Sequence, residues 1–356
     1  MARSVPAFQE IVSGERRGFW ATIARALLWP LSIGYRWGIA LRNRLYDRHI
    51  RKARRVDAMV ISVGNLTTGG TGKTPLVETL AKMLRGRGVT VAIVSRGYKG
   101  ARTGDSDEKR MLARNLPDVP HVTNPDRVGA AREAVEAHNA QVVIMDDGFQ
   151  HRRLHRDLDI VTIDATRPDG YGYLLPRGLL REPMTSLKRA DVAVITRTRL
   201  VPPTEGARIE ERLRRLAPGL VVVHSEQDVV AIEDLYADAR PDDFLRGKHV
   251  CAFCGVGNPD AFRQTLTRLG ARLTDFFAFA DHHRYRDHDL KTVNASAHIE
   301  SADAIVTTQK DAVRIDSGFH WQRDLLIVRI ACRLTRHREA LEERLDALVA
   351  ALGDTP

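Results

Sequence analysis

The run Gly64-Asn65-Leu66-Thr67-Thr68-Gly69-Gly70-Thr71-Gly72-Lys73-Thr74-Pro75 lies directly between a β-branched stretch, MVISV (59–63), and an amphipathic one, LVETLAKMLRGRG (76–88). Strand, glycine-rich turn and helix in that order constrain the chain strongly. Glycines let successive backbone N–H groups converge on phosphate oxygens, and the helix N-terminus adds its partial positive charge. Lys73 then reaches the β- and γ-phosphates and Thr74 offers a hydroxyl to Mg²⁺. The predicted nucleotide-binding residues are therefore Thr67, Thr68, Gly69, Gly70, Thr71, Gly72, Lys73 and Thr74. The strict G-x-x-x-x-G-K-[ST] pattern asks for glycine at position 67, where this chain has Thr67.

A second apolar run, QVVIMD (141–146), ends in Asp146-Asp147-Gly148-Phe149-Gln150-His151. This places two carboxylates at the C-terminal edge of a sheet, where open α/β folds bind their ligands. Asp146 is the candidate metal ligand and Asp147 the candidate catalytic neighbour, although the pair could exchange these roles. VTVAIVS, LDIVTID and DVAVIT complete a set of short strands separated by helical segments, the pattern of a parallel layered sheet. A Pro-containing connection after Arg197 leads to a second α/β set built from HVCAFCGV, TDFFAFAD, DAIVTT and LLIVRI, followed by a terminal helix over 335–352. The expected fold is a phosphate-loop NTPase-like layered α/β/α domain over 57–225. A smaller α/β domain with the C-terminal helix follows over 226–356, and an amphipathic arm precedes both over 1–56. A length of 356 residues suits two cores better than one.

The arm also explains the charge. It holds twelve Lys and Arg against Glu10, Glu15 and Asp47, while the rest of the chain is nearly balanced at 43 basic and 42 acidic residues. Trp20, Ile23, Leu27, Leu28, Leu31, Ile39 and Leu45 give it an apolar side, but Arg25 and Arg36 interrupt the run and Pro30 is expected to break its middle. No stretch reaches the roughly 20 uncharged residues of a transmembrane helix. An interfacial helix on an anionic membrane surface is the expectation, and nucleic acid is not the expected partner because no recognition motif accompanies the basic residues. Cys251, Cys254 and Cys332 are too few to staple the fold, which favours a reducing compartment. The Cys251-Ala252-Phe253-Cys254 spacing has no second pair and sits on a predicted buried strand, so packing is its better reading.

In sequence order, GNLTTGGTGKTP, VSRGYKG, MDDGFQHRRLHRDL, LLPRGLLREP, FCGVGNPDAF, ADHHRY and TTQKDAV resemble the tetraacyldisaccharide 4′-kinases of lipid A biosynthesis, from about Val60 to Val313. The resemblance implies ATP and Mg²⁺ as cofactors. It implies transfer of the γ-phosphoryl group to the 4′-hydroxyl of tetraacyldisaccharide 1-phosphate, a lipid, by a peripheral protein on the cytoplasmic face of the inner membrane. It also implies a catalytic Asp after the SRGY loop acting with a His of the second domain. Here Gly104-Asp105-Ser106-Asp107-Glu108 offers two such residues; the spacing to Leu116-Pro117 and Pro125-Asp126-Arg127 favours Asp107, with Asp105 as the alternative. The His maps to His282, beside His283. Asn65, Arg96, Tyr98, Arg127, His151 and Arg181 fall in the matching segments as candidate substrate contacts. A competing expectation from the residues alone is a nucleotide-switched membrane-binding module, which would need no acceptor.

Overall fold

The structure is a computed structural model and describes residues 7–97, 107–315 and 318–353. In chain order the helices and strands are α1 (Ala7–Ser13), α2 (Phe19–Asp47), β1 (Met59–Asn65), α3 (Lys73–Arg85), β2 (Val91–Ser95), α4 (Asp107–Asn115), β3 (His121–Thr123), α5 (Arg127–His138) and β4 (Val142–Asp146). They continue with β5 (Leu158–Asp164), β6 (Val192–Thr196), α6 (Pro203–Leu216), β7 (Val221–Glu233), β8 (Ala239–Arg240), β9 (His249–Cys254), α7 (Pro259–Arg268) and β10 (Arg272–Ala278). The last are α8 (Asp287–Ile299), β11 (Ala304–Thr308), α9 (Gln309–Ala312), β12 (Leu325–Arg336) and α10 (Arg338–Gly353). Their contacts divide the chain into a larger unit, Ile11–Gln227 with Cys332–Pro356, and a smaller one, Met1–Glu10 with Asp228–Ala331.

In the larger unit the strand order is β7-β6-β5-β1-β4-β2-β3, all parallel. The sheet is buried on both faces, which is why its strands read as continuous apolar runs rather than alternating ones. On one face Ile61, Val63, Ile93 and Ile144 pack against Leu76, Leu80 and Leu84 of α3 and Leu341, Leu345 and Leu348 of α10. On the other, Ala92, Val94 and Val143 meet Val128, Ala131 and Ala134 of α5, while Ile163 and Ile195 meet Ile209 and Leu213 of α6. Parallel pairing aligns the strand ends. Val63 stands opposite both Asp146 and Ile160, so the phosphate loop and the Asp146-Asp147 turn leave the sheet side by side.

The smaller unit orders its strands β10-β9-β11-β12, again parallel, with α7 on one face and α8 on the other. Cys251 and Cys254 point into these two opposite cores and are fully buried, which accounts for their spacing by packing.

Two sequence expectations change. Pro30 does not break the arm: α2 runs unbroken from Phe19 to Asp47 with Pro30 inside it. Pro30 and Ala26 are both exposed, so water can satisfy the carbonyl that the missing N–H leaves unpaired. The terminal helix begins at Arg338 rather than Thr335, because β12 continues through Thr335 to Arg336 and Thr335 donates its hydroxyl to the His224 carbonyl at 3.2 Å. Among the described residues no helix is long and apolar enough to cross a membrane.

Candidate active site

The phosphate loop begins where β1 ends. Gly64 has no room for a side chain, since a Cβ there would stand 2.5 Å from the Phe149 Cβ and 2.7 Å from its backbone nitrogen. That clearance lets the Asp146-Asp147-Gly148-Phe149 turn press against the loop. Gly72 caps α3 in the left-handed region, at φ 85°, a conformation glycine takes without steric cost. Thr67 is tolerated where the strict pattern asks for glycine because it forms an antiparallel bridge with Leu180, an extended conformation open to any residue. Asn65, fully buried, donates to Thr71 Oγ1 at 3.1 Å and to the Gly69 carbonyl at 3.4 Å, holding the loop from beneath.

Lys73 opens α3 and its Nζ lies 3.4 Å from Asp147 Oδ1. Arg181 binds the same carboxylate, its Nη1 donating to both oxygens at 2.9 Å. Burial alone would raise the Asp147 pKa, but Lys73 and Arg181 outweigh it and hold the carboxyl below its ordinary range. Asp146 behaves in the opposite way. It ends β4 almost fully buried, and burial raises it to about 6 against the pull of Lys73, with Asp147 and Glu108 adding repulsion. Two adjacent carboxylates are thus driven apart, one firmly ionised and one poised near neutrality, a separation typical of sites that assign them different tasks.

A basic wall lies beside this pair. Arg127, first residue of α5, is 4% exposed, and its Nε has no hydrogen-bond partner among the described residues. Burial lowers its pKa, as does Arg96, while Asp147 and Asp146 oppose this. Arg96, after β2, is exposed. Burial, helped by Arg127, Arg156 and Arg153, pushes His151 down to about 4, and its Nε2 is buried without a partner among the described residues. Asp107 and Glu108 form the first turn of α4, where the helix dipole favours negative charge. Tyr98 and the alternative base Asp105 lie outside the described residues.

His282 belongs to the smaller unit. It has φ 61°, and its two ring nitrogens face Lys310 Nζ at 3.3 Å and Arg314 Nη2 at 3.4 Å. Asp311 ties this neighbourhood together, accepting from the Gly255 N–H at 2.9 Å, the Tyr285 hydroxyl at 2.9 Å and the Thr308 hydroxyl at 2.6 Å. One buried carboxylate thereby joins the FCGVG, HHRY and TTQKD segments, which sequence reading lists separately.

Sequence reading missed three contributors. Glu108 is close enough to raise the Asp146 pKa; it is the second acidic residue of the α4 first turn, next to Asp107 in the segment where sequence reading weighed only Asp105 and Asp107. Gln150 donates to the Asn65 carbonyl at 2.9 Å, and only its place between Phe149 and His151 could have flagged it. Arg197, whose Nη2 donates to the Gly70 carbonyl at 2.7 Å, had no motif to reveal it.

The family model described as tetraacyldisaccharide-1-P 4′-kinase matches residues 24–350. The tetraacyldisaccharide 4′-kinase of Syntrophus aciditrophicus is 41% identical over 317 residues, covering 81% of this chain and 84% of that protein. The protein of the same name from Anaeromyxobacter sp. strain K is 40% identical over 356 residues, 95% of this chain and 94% of its own. Among solved structures, LpxK from Aquifex aeolicus in complex with ATP superposes with a TM-score of 0.71 at 30% identity, covering 91% of this chain and 99% of that one.

Proposed function

The chain belongs to the tetraacyldisaccharide 4′-kinase family, and we propose how its own residues divide the work of that reaction. It is an ATP-dependent lipid kinase of lipid A biosynthesis, transferring the γ-phosphoryl group to the 4′-hydroxyl of tetraacyldisaccharide 1-phosphate. Phosphoryl transfer, rather than nucleotide-gated surface binding, is its activity.

The observation that carries the assignment is the Lys73–Asp147–Arg181 chain beside the buried Asp146, at the mouth of the phosphate loop. Residues 67–74 hold the triphosphate through backbone N–H groups, and Lys73 moves from Asp147 to the phosphates when nucleotide arrives. Asp147 keeps Lys73 and Arg181 extended and paired until then. The Asp146 carboxylate and the Thr74 hydroxyl are hard oxygen donors at the C-terminal edge of the sheet, a set that fits Mg²⁺. Bound there, the ion would draw charge from the phosphate oxygens.

Asp107 accepts the proton of the 4′-hydroxyl, whose own acidity is far too low for unaided attack. To His282 we assign the tuning of that base. The Arg127 Nε and the His151 Nε2, without hydrogen-bond partners among the described residues, supply with Arg96, Tyr98 and Arg181 the contacts for an acceptor that carries phosphate, while the buried Asn65 braces the loop instead of meeting the acceptor. We retain 1–56 as a membrane-associating arm, and take 57–227 with the returning 332–353 as the phosphotransfer unit and 228–331 as the second one, which moves the C-terminal helix from the second segment to the first. The arm seats the protein peripherally on the anionic cytoplasmic face of the inner membrane, where ATP and the lipid meet. The outward face of α2 supports this, with Trp20, Leu27, Leu31, Trp37 and Leu41 exposed.

The test is transfer of labelled phosphate from ATP to tetraacyldisaccharide 1-phosphate, read by thin-layer chromatography. Asp107→Ala should lower kcat by about 100-fold or more while leaving ATP affinity nearly unchanged. An active Asp107→Ala protein together with an inactive Asp105→Ala one would move the base to Asp105.

A further inference from the structure

A phosphate loop cradles an anion only if its N–H groups face inward, which requires its carbonyls to be turned away and satisfied elsewhere. In this chain the ends of β5 and β6 receive them. Thr196, the last residue of β6, donates its hydroxyl to the Thr71 carbonyl at 2.9 Å. Arg197, the next residue, donates from Nη2 to the Gly70 carbonyl at 2.7 Å, and its Nη1 is ion-paired with Asp164, the last residue of β5. Thr162 of β5 adds a hydroxyl contact of 2.7 Å to Thr71.

Arg197 holds this position against three costs. It is a non-glycine residue at φ 59°, in the left-handed region. It is 8% exposed, so its charge is largely desolvated. Its Nε is buried without a partner among the described residues. A stabilising residue would be easier to supply with an apolar side chain, and strain at a ligand site is a reason to ask what the strained group does. Asp164 supplies the compensating charge and is anchored in turn by the Thr166 N–H at 3.0 Å and the Thr166 hydroxyl at 2.7 Å.

We propose that Arg197, braced by Asp164, is a positioning residue of the nucleotide site that fixes the Gly70 peptide with its carbonyl outward, so that the loop is shaped for the triphosphate before ATP binds. This rests on the reading of residues 67–74 as the phosphate-binding loop. Arg197 does not touch the nucleotide in this role. Its contribution is the ordering of a loop with glycine at 69, 70 and 72, which otherwise spends binding energy on freezing its own backbone.

Calorimetric titration with ATP and steady-state kinetics on the full chain test this. Arg197→Gln should raise both the ATP Kd and the ATP KM by about tenfold or more, the scale of one lost charged hydrogen bond, with the lipid KM unchanged and kcat near the parent value at saturating ATP. Arg197→Lys restores charge opposite Asp164 and one donor, and should recover part of the affinity. Because a lone buried Asp164 could unfold the single variant, Asp164→Asn/Arg197→Met removes both charges together and should fold yet still bind ATP weakly. Lys73→Ala is the reference: unchanged ATP affinity there overturns the loop reading itself. Weak binding by Lys73→Ala with parent-like affinity in Arg197→Gln and the double variant, whatever their melting temperatures, would reduce Arg197 to a structural ion pair and sink the proposal.

Discussion

At the scale of single residues, the site is governed by the opposed titration of Asp146 and Asp147. Burial sets the Asp146 carboxyl at about 6, well above its ordinary 3.8, and Lys73 only partly offsets it. The folded state therefore disfavours the ionised form. Well below pH 4 the group is protonated in both folded and unfolded chains and costs nothing; as pH climbs from the unfolded value of about 4 to the folded value of about 6 the penalty builds, reaching about 3 kcal/mol and staying constant above it. In the absence of nucleotide and metal, Asp146→Asn should then melt higher than the parent near pH 8, with the difference shrinking as pH falls from about 6 to 4 and vanishing below that. The same variant should lose at least about 100-fold in kinase rate if Asp146 holds the metal that offsets phosphate charge. For the parent protein, a proton competing for the same carboxylate should weaken Mg²⁺·ATP binding as pH falls below about 6. A stability difference that is flat across this range would show that the buried carboxyl is not the titrating group.

At the scale of elements, α2 shows what a sequence displays and what it hides. Its apolar spacing, its basic residues and its inability to span a bilayer are all legible, because each depends only on neighbours along the chain. Its docking is not legible, because it depends on residues about 140 positions away. Ser32 donates to the Leu174 carbonyl at 2.9 Å, Tyr35 to the Arg181 carbonyl at 3.0 Å, and Arg42 and Asn43 bind Glu182. The inner face of the helix thus supports the segment carrying Arg181, while Trp20 and Trp37 stay 79% and 70% exposed on the outer side. This two-faced arrangement makes deletion of the arm a poor test, since it would disturb Arg181 as well as any membrane contact. Trp20→Ser/Leu27→Ser/Trp37→Ser leaves Ser32, Tyr35 and Arg42 in place. That variant should lose about tenfold or more in flotation with anionic vesicles, raise the KM for the lipid and leave the KM for ATP alone. Equal increases in both KM values would assign the helix to holding Arg181 rather than to lipid.

At the scale of the molecule, the glycine-rich loop, the strand-end aspartates and the alternation of strands and helices were readable because local pattern determines them, and the structure brings Lys73 of the loop within 3.4 Å of Asp147. The grouping of distant segments was not readable. The terminal helix carries an ordinary amphipathic pattern, and nothing in it says which sheet it covers; the structure puts Leu341, Leu345 and Leu348 of α10 in the same core as Leu76, Leu80 and Leu84 of α3. The chain therefore leaves the larger unit after Gln227 and returns to it at Cys332, so the smaller unit interrupts it as an insertion. This topology predicts opposite results from two cuts. Replacing 228–331 by a short flexible linker should leave a protein that unfolds cooperatively and binds ATP within about threefold of the parent, because the core around the phosphate loop keeps all its members. It should transfer no phosphate, having lost His282. Ending the chain at Ala331 instead strips three buried leucines from beside the helix that begins with Lys73. At about 2–5 kcal/mol for each large buried side chain, that loss exceeds the usual margin of stability, and the truncated chain should fail to fold even though its phosphate loop is intact. Thermal melts and nucleotide titration of the two proteins decide the matter, and a folded, ATP-binding 1–331 chain would place α10 outside the core that shapes the loop.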